Sequence, residues 1–245
     1  MLKKLHDKSR LAFAIVWIVC YCVIMSIADS LSETVGIAKM VSLPVALLLS
    51  GVLIRFIISN NLQDEYGLKR SERAPRYMLF YIPLIVMLSA NIWHGVALNA
   101  TVAECVLYVL TMLCIGFLEE VIFRGLLFGA MRKDSPRAAI IVSSLTFGIG
   151  HIINLVNGSG AELVPNILQV VYATAAGFMF VMIYLVSDSL ISCIAAHGIF
   201  NSLSVISIEP KELGIRILSC VALTLITGSY AVYLAVRAKK DESLK

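Results

Sequence analysis

Eight apolar runs, separated by short polar connections, limit what this chain can fold into. They cover, in order, about residues 11–28, 40–59, 77–93, 101–131, 137–156, 165–186, 190–208 and 213–236. Each is long enough for a helix that crosses the hydrocarbon core of a bilayer, which needs roughly 17–25 apolar residues. Backbone polar groups inside a bilayer must bond within the span, so these runs predict helices. We therefore expect an all-α chain, a polytopic membrane helical bundle of about eight transmembrane helices.

The composition agrees with an integral membrane protein. Hydrophobic residues make up 59% of the 245 residues, charged residues make up 15%, and the mean hydropathy is +0.89. A soluble domain carries about 25% charged residues, so this class is excluded. The first run also fits a signal peptide, with Ser26-Ile27-Ala28 as a loose cleavage site. A run of about 18 apolar residues is long for a signal core, and we interpret it as the first transmembrane helix.

Lysine and arginine are distributed unequally between the connections. Most of them lie in the segments 3–10, 64–76, 131–137 and 237–245. The connections on the other side hold only Lys39 and Lys211, and Arg216 lies just inside the eighth run. Because basic residues mark cytoplasmic loops, we expect both termini to be cytoplasmic. The sequence shows no internal repeat and no basic patch interleaved with aromatic residues. We therefore expect residues 1–245 to form a single transmembrane domain, with the lipid bilayer and not nucleic acid as its partner.

Two carboxylates and a guanidinium interrupt the fourth run. Glu119, Glu120 and Arg124 lie between residues that favour lipid. Each charge at membrane depth costs from ~2.5 to more than ~10 kcal/mol, so such groups survive where they pair, line a cavity or do chemistry. Glu120 and Arg124 are four residues apart with the acid first, the favoured order for a helical ion pair. Glu119 projects about 100° away and has no local partner, which makes it the candidate general base.

Two histidines and an asparagine lie in other runs at a similar depth. His197 and Asn201 are four residues apart and share a helix face. Measured along each helix from the basic connections, Glu119 lies roughly 18 Å, His151 roughly 21 Å, His197 roughly 13 Å and Asn201 roughly 20 Å into the membrane. Three helices thus deliver polar groups to about one level, which favours a shared site.

The remaining histidines, the cysteines and the aromatic residues carry no such pattern. His6 lies in the basic arm, where we expect it to be solvated, and His94 follows Trp93, which is typical of the membrane interface. The six cysteines have no Cys-x-x-Cys pair and are expected to pack as small apolar residues. The scattered tyrosines, tryptophans and phenylalanines are interpreted as interface and packing residues.

Three motifs carry a resemblance to a known family. They are Glu119-Glu120-x-x-x-Arg124, Phe147-x-x-x-His151 and His197-x-x-x-Asn201. In this order and on apolar segments, they resemble the signature of the CAAX-protease and bacteriocin-processing (CPBP) family of intramembrane proteases. That family includes the type II CAAX prenyl endopeptidases and bacterial relatives tied to bacteriocin maturation or self-immunity. The resemblance covers about residues 117–202 and implies a catalytic core at about 100–205.

The resemblance also implies roles for single residues. Glu119, with His151, would activate a water molecule for attack on a peptide carbonyl. His197 and Asn201 would donate hydrogen bonds to the oxyanion, and Glu120 with Arg124 would hold the helix. The chemistry of the side chains allows the same roles, since proton transfer by a positioned group contributes ~10²–10⁴-fold and an oxyanion donor ~10²–10³-fold.

A metal site is the alternative arrangement of the same residues. Glu119, His151 and His197 supply the ligand types of a zinc hydrolase, in which a fourth position stays open for water. The chain lacks the His-Glu-x-x-His signature, and the resemblance points to a water activated without an obligatory metal. We expect that no cofactor is required and keep zinc or another divalent ion as the alternative.

The expected function is that of an intramembrane endopeptidase whose site opens to the cytoplasmic leaflet. Its partner would be a membrane-associated peptide or protein, cut in bacteriocin maturation, self-immunity or CAAX-type processing, and its location the bacterial plasma membrane. One alternative is a non-catalytic binding scaffold or immunity protein on the same fold, which would be free to lose Glu119 or Asn201. A proton-coupled transporter is a third class, but the chain has no internal repeats or pairs of broken helices.

Overall fold

The computed structural model describes residues 2–71, 81–98, 100–157 and 160–243 of the chain. It is 80% helical, and the described residues form no strand, only an isolated bridge between Val96 and Ser207. The α-helices are, in order, α1 (Leu2–Lys8), α2 (Arg10–Val35), α3 (Ser42–Ser59), α4 (Tyr81–Ser89), α5 (Val102–Met131), α6 (Pro136–Gly150), α7 (Leu163–Ser187), α8 (Ile191–Leu203) and α9 (Leu213–Ser243). Short 3₁₀ turns, Ala90–Ile92, His151–Leu155 and Ser204–Ile206, extend α4, α6 and α8.

Six of these helices are long and apolar enough to cross a membrane. They are α2, α3, α5, α6, α7 and α9. The third and seventh predicted spans contain shorter apolar helices, Ile82–Ile92 and Ile191–Ile206. Residues 77–80 of the third predicted span, and residues 72–76 of the charged connection before it, lie outside the described residues. A helical membrane protein is therefore confirmed, and the count of eight spans stays a prediction.

Local sequence signals set the ends of α2 and α5. Ser9 caps α2 by accepting a hydrogen bond from the backbone N–H of Ala12 at 3.1 Å. Gly36 ends the same helix with φ 77°, a left-handed conformation that a residue without Cβ adopts freely. Thr101 and Glu104 form a capping box at the start of α5. These caps satisfy the backbone groups that helix ends leave open and so fix where each helix begins and ends.

One end of the bundle, which we call the basic face, gathers the segments 2–10, 60–71, 131–137 and 187–190. These segments hold most of the basic residues that the structure describes. Two ion pairs tie the loop 60–71 to its neighbours: Arg10 pairs with Glu65, and Lys69 lies 2.7 Å from Asp188. The loop therefore packs against the ends of the helices.

The other end, which we call the far face, consists of the segments 35–42, 93–98, 151–157 and 204–213. The backbone N–H of Ala97 donates to the carbonyl of Ile206 at 2.9 Å, which joins the ends of α4 and α8. His94 lies 2.8 Å from the hydroxyl of Ser219 on α9. Lys39, in the turn between α2 and α3, forms an ion pair with Asp29 at 2.8 Å.

His6 corrects one expectation from the sequence. Its side chain is 5% exposed, so the prediction of a solvated histidine is wrong. The ring packs edge-on against Phe13 and Phe56 and accepts a hydrogen bond from the Tyr66 hydroxyl at 2.6 Å. Nδ1 of the ring lies 3.1 Å from Oδ1 of Asp7, and since a carboxylate only accepts, Nδ1 is the N–H and Nε2 is the acceptor. The α1 helix folds back onto the bundle, and His6 is therefore part of the packed core at the basic face.

Two glycines allow the site-bearing helices to approach closely. A Cβ on Gly116 of α5 would lie 2.6 Å from the backbone nitrogen of Gly198 on α8. A Cβ on Gly148 of α6 would lie 2.8 Å from Cα of Thr174 on α7. Small residues at such crossings let helix backbones pack against each other in a membrane. Gly116 lies one helical turn before Glu119, and Gly198 follows His197, so this contact sets the distance between the two side chains.

We expect the Gly116→Ala variant to destabilise the bundle. The added methyl group would force α5 and α8 apart, and overpacking of this kind costs about 1–3 kcal/mol. Thermal unfolding in detergent measures the loss as a lower midpoint. Gly51→Ala in α3 is the matched control, because its Cβ would meet no atom within 4 Å. Equal midpoints for the two variants would contradict the close contact.

Candidate active site

The site is built around an irregular segment of α5. The regular part of this helix ends at Glu119, and the backbone forms a π-helix over Glu120–Phe128 before the α-helix resumes at Gly129. In a π-helix each N–H bonds to the carbonyl five residues back, and such turns are frequent at functional sites. All nine residues of the π-helix are buried. The segment therefore brings charged side chains into the interior of the bundle.

Glu120 and Arg124 form an ion pair inside the protein. The NH1 group of Arg124 donates to Oε1 of Glu120 at 2.9 Å, and both side chains are 0% exposed. The guanidinium lies over the ring of Phe147, 4.0 Å from its centroid, and 5.5 Å from the centroid of Phe180. Its Nε and NH2 groups have no hydrogen-bond partner among the described residues. The aromatic faces therefore replace part of the solvation that the cation loses.

His197 lies between the two glutamates. Its Nδ1 is 2.9 Å from Oε1 of Glu120, and its Nε2 is 3.5 Å from Oε2 of Glu119. The ring stacks on Phe180, with centroids 5.8 Å apart. Since a carboxylate only accepts, Nδ1 is the N–H that donates to Glu120, and Nε2 faces Glu119. The sequence predicts one site for these residues, and α5 and α8 bring them together.

Tyr21 is a site residue that the sequence analysis missed. Its hydroxyl donates to Oε1 of Glu119 at 2.6 Å, although the two residues are 98 positions apart. The interpretation of the tyrosines as interface and packing residues is therefore incomplete. The depth of the residue in the membrane is a signal that could have indicated it, because Tyr21 lies about 16 Å along α2 from Arg10, level with Glu119. Tyr21 belongs to none of the three motifs, so the sequence pattern did not indicate it.

His151 and Asn201 lie near the glutamates without bonding to them. The Nδ1–H of His151 donates to the carbonyl of Phe147 at 3.0 Å, and the Asn166 amide donates to the carbonyl of His151 at 2.8 Å. These bonds fix the ring at the point where α6 ends. Within the described part of the chain, neither Nε2 of His151 nor the side-chain amide of Asn201 has a hydrogen-bond partner. Both groups are available to a ligand.

Two adjoining spaces connect these side chains. A cavity of about 750 Å³ is lined by Glu119, His151, Asn201 and Tyr21. A smaller pocket of about 40 Å³ is lined by His151, His197 and Asn201. A single water needs a space of at least ~10–15 Å³ with several polar partners, so the pocket has room for one. Each of the four candidate catalytic residues thus lines at least one of the two spaces.

The larger cavity leads from Glu119 towards the far face. Its outer part is lined by Asp29 of α2, Arg216 of α9 and residues of four connections: Lys39, His94, Asn157, Glu162 and Glu209. With the orientation predicted from the basic residues, this opening faces away from the cytoplasm. The two predictions, cytoplasmic termini and a site that opens to the cytoplasmic leaflet, therefore do not both fit this cavity.

A zinc site needs at least three donor side chains arranged around one ion. Among the residues described, no group of three His, Cys, Asp or Glu side chains is placed to hold a metal ion. The Nδ1 of His197 is engaged by Glu120, which leaves Nε2 as the atom that faces Glu119. A zinc site formed by Glu119, His151 and His197 would need these side chains to move closer together.

The comparisons with known proteins identify one family. The model of the Rce1-like family, described as type II CAAX prenyl endopeptidase Rce1-like, matches residues 101–203. Searches of curated proteins and of solved structures found no significant match. The matched segment contains all three motifs found in the sequence, and the predicted family resemblance is therefore confirmed. The match over residues 101–203 supports the CPBP/CAAX protease family.

Proposed function

We propose that the chain is an intramembrane endopeptidase that hydrolyses a peptide bond in a membrane-associated protein or peptide. The observation that carries this proposal is the carboxylate of Glu119, which lines a large cavity while its Oε2 has no hydrogen-bond partner among the described residues. A buried polar atom without a partner needs a reason, and a bound water is the simplest one. The family is a protease family, which supports a peptidase.

In the proposed mechanism Glu119 is the general base. Its Oε2 accepts a proton from a water, and the water oxygen attacks the carbonyl carbon of the peptide bond. The proton then passes to the leaving nitrogen as the carbon–nitrogen bond breaks. His151 lines the same cavity and assists the proton transfer. Tyr21 holds Oε1 of the carboxylate, so that Oε2 is the atom left for the water.

The oxyanion would be stabilised by His197 and Asn201. The carboxylate of Glu120 holds Nδ1 of His197 at 2.9 Å and so fixes the ring, and the oxyanion role belongs to its Nε2–H. The Asn201 amide lines the same small pocket as His197 and supplies a second donor. Arg124 neutralises Glu120, which keeps the group of buried charges balanced. Donors fixed before the reaction are effective because they need no reorganisation in the transition state.

The proposal extends to the topology and the location of the protein. Residues 1–245 would form a single transmembrane domain of eight spans with both termini in the cytoplasm, and its catalytic core would extend over about 100–205. The protein would lie in a bacterial plasma membrane and act in bacteriocin maturation, self-immunity or CAAX-type processing. The apolar helices and the family support an integral multi-pass membrane protein.

Replacing Glu119 by glutamine tests its role as the general base. We expect Glu119→Gln to lower peptide cleavage by about 10²-fold or more, because an amide cannot take the proton from water. The assay measures peptide release by purified protein in nanodiscs, against a library of prenylated and leader-type peptides. Glu162→Gln is the matched control, since Glu162 lines the same cavity far from the glutamate pair and should keep full activity.

The same assay separates the alternatives. Cleavage that resists a chelator agrees with a water activated by Glu119 alone, and loss with a chelator followed by rescue with zinc assigns the mechanism to a metal. Unchanged cleavage by Glu119→Gln would refute the mechanism. No cleavage by the wild type, combined with a cellular role that survives Glu119→Gln, would establish the non-catalytic scaffold.

Tyr21→Phe tests whether Tyr21, which lies outside the matched segment, positions Glu119. A hydrogen bond to a charged group contributes about 1.5–3 kcal/mol, so we expect kcat to fall about tenfold or more. KM should stay unchanged, because the hydroxyl does not touch the substrate in this mechanism. Tyr108→Phe is the control, since Tyr108 lines the same cavity but bonds to Ser204. A lower melting temperature with an unchanged kcat would show that Tyr21 is only a packing residue.

A further inference from the structure

We propose that Asn166, which belongs to none of the three motifs, is a positioning residue for His151. This inference rests on the proposed function, because it concerns the ring that assists the proton transfer there. Asn166 lies in the first turn of α7, and its amide donates to the backbone carbonyl of His151 at 2.8 Å. Through this bond it keeps the ring of His151 in the form with a proton on Nδ1, which leaves Nε2 as the acceptor.

The first step is a change of helix type at His151. The α-helix α6 ends here, and the chain continues as the 3₁₀ turn His151–Leu155. The backbone N–H of His151 donates to the carbonyl of Gly148, three residues back. A regular α-helix would use the carbonyl of Phe147, four residues back. That carbonyl accepts the Nδ1–H of the His151 ring at 3.0 Å, so the change of helix type supplies the acceptor that fixes the ring.

The second step is that this contact selects one tautomer of His151. A carbonyl oxygen only accepts, so Nδ1 carries a proton when it bonds to Phe147. In the neutral imidazole the other nitrogen, Nε2, is then an acceptor. The ring also packs edge-on against the ring of Phe147, with centroids 5.1 Å apart. A fixed ring with a free lone pair on Nε2 suits a group that takes a proton and passes it on.

The third step is that Asn166 holds the point where the helix type changes. Its Nδ2 group ties the first residue of the 3₁₀ turn to α7. A second amide contact joins the same two segments, because Asn154 of the turn donates to Gln169 of α7 at 3.1 Å. Of the two contacts, that of Asn166 is the one on His151 itself. Without it, the turn can relax to an α-helix, in which the backbone N–H of His151 competes with the ring for the carbonyl of Phe147.

The position of Asn166 is costly, which argues for a functional role. The side chain is 1% exposed, and its Oδ1 has no hydrogen-bond partner among the described residues. A buried acceptor without a partner destabilises the folded state, and asparagine is a poorer helix former than leucine. Local costs of this kind are expected at functional sites. Because Asn166 borders the cavity with almost no exposed surface, it acts on the ring through the backbone and not on a substrate.

NMR of the histidine rings tests the inference without any need for activity. The four histidines are labelled with ¹⁵N, and the signals of His151 are assigned by their loss in His151→Gln. The spectra separate protonated from unprotonated ring nitrogens at about pH 8.5, where an unperturbed imidazole is neutral. We expect the Nδ1–H tautomer of His151 to predominate in the wild type. In Asn166→Leu its ratio to the Nε2–H tautomer should fall about tenfold, the equivalent of one hydrogen bond.

Gln169→Leu is the matched control, because it removes the other amide contact between the same segments and should leave the ratio unchanged. Asn166→Ala is a second variant that removes the donor without adding apolar atoms, and it should change the ratio as Asn166→Leu does. A wild-type ring with its proton on Nε2 would overturn the inference. The same ratio in the wild type and both Asn166 variants, or an equal change in Gln169→Leu, would also overturn it.

Kinetics then separate positioning from packing. We expect Asn166→Leu to lower kcat about tenfold with KM and the melting midpoint unchanged, because the buried acceptor is lost together with the donor. An unchanged kcat, or a lower midpoint with an unchanged tautomer ratio, would overturn the positioning role. A wild type that cuts no peptide would refute the proposed function, and the NMR ratio would still decide the inference. An unchanged ratio would leave the result for Glu119→Gln intact.

Discussion

The arrangement of the site depends on one guanidinium that is fully buried in the bundle. Removing a charge of this size from water costs several kcal/mol even after the protein relaxes, so Arg124 is tolerated only with compensation. Glu120 supplies the counter-charge at 2.9 Å, and the rings of Phe147 and Phe180 cover its faces. Glu120 of this ion pair also accepts a hydrogen bond from Nδ1 of His197. Helices α5, α6, α7 and α8 thus all contribute to holding one cation.

This network fixes the position of Glu119, the neighbour of Glu120 in the chain. Where α5 changes to a π-helix, both glutamates reach the same imidazole, one at each ring nitrogen. Tyr21 donates to one oxygen of Glu119, and the other oxygen is buried 3.5 Å from Nε2 of His197, without a hydrogen-bond partner among the described residues. Tyr21, His197 and the Glu120–Arg124 ion pair thus surround Glu119 with polar groups inside the bundle.

Much of this arrangement was predictable because a membrane restricts the secondary structures and the charged groups that a chain can place in it. Apolar runs become helices, and buried charges must pair, so the helical bundle and the choice of Glu119, Glu120 and Arg124 followed from the printed residues. Depth along each helix, at a fixed rise per residue, placed His151 and His197 near the same level. The expectation of a solvated His6 was wrong because the residue is buried, and the course of the cavity towards the far face was not predicted. Both depend on how segments fold back or pack, which a count of residues along one helix does not contain.

The sequence by itself determined the class of the protein, its apolar helices and the polar side chains within them, because each of these follows from hydrophobicity and helix geometry. Only the tertiary structure decided which atoms meet. The contact of Gly116 with Gly198 sets how closely α5 and α8 approach, the π-helix turns both glutamates towards His197, and α2 brings Tyr21 to Glu119. The course of the cavity beside the carboxylate was decided in the same way, because a cavity is a gap between helices and depends on all of them together.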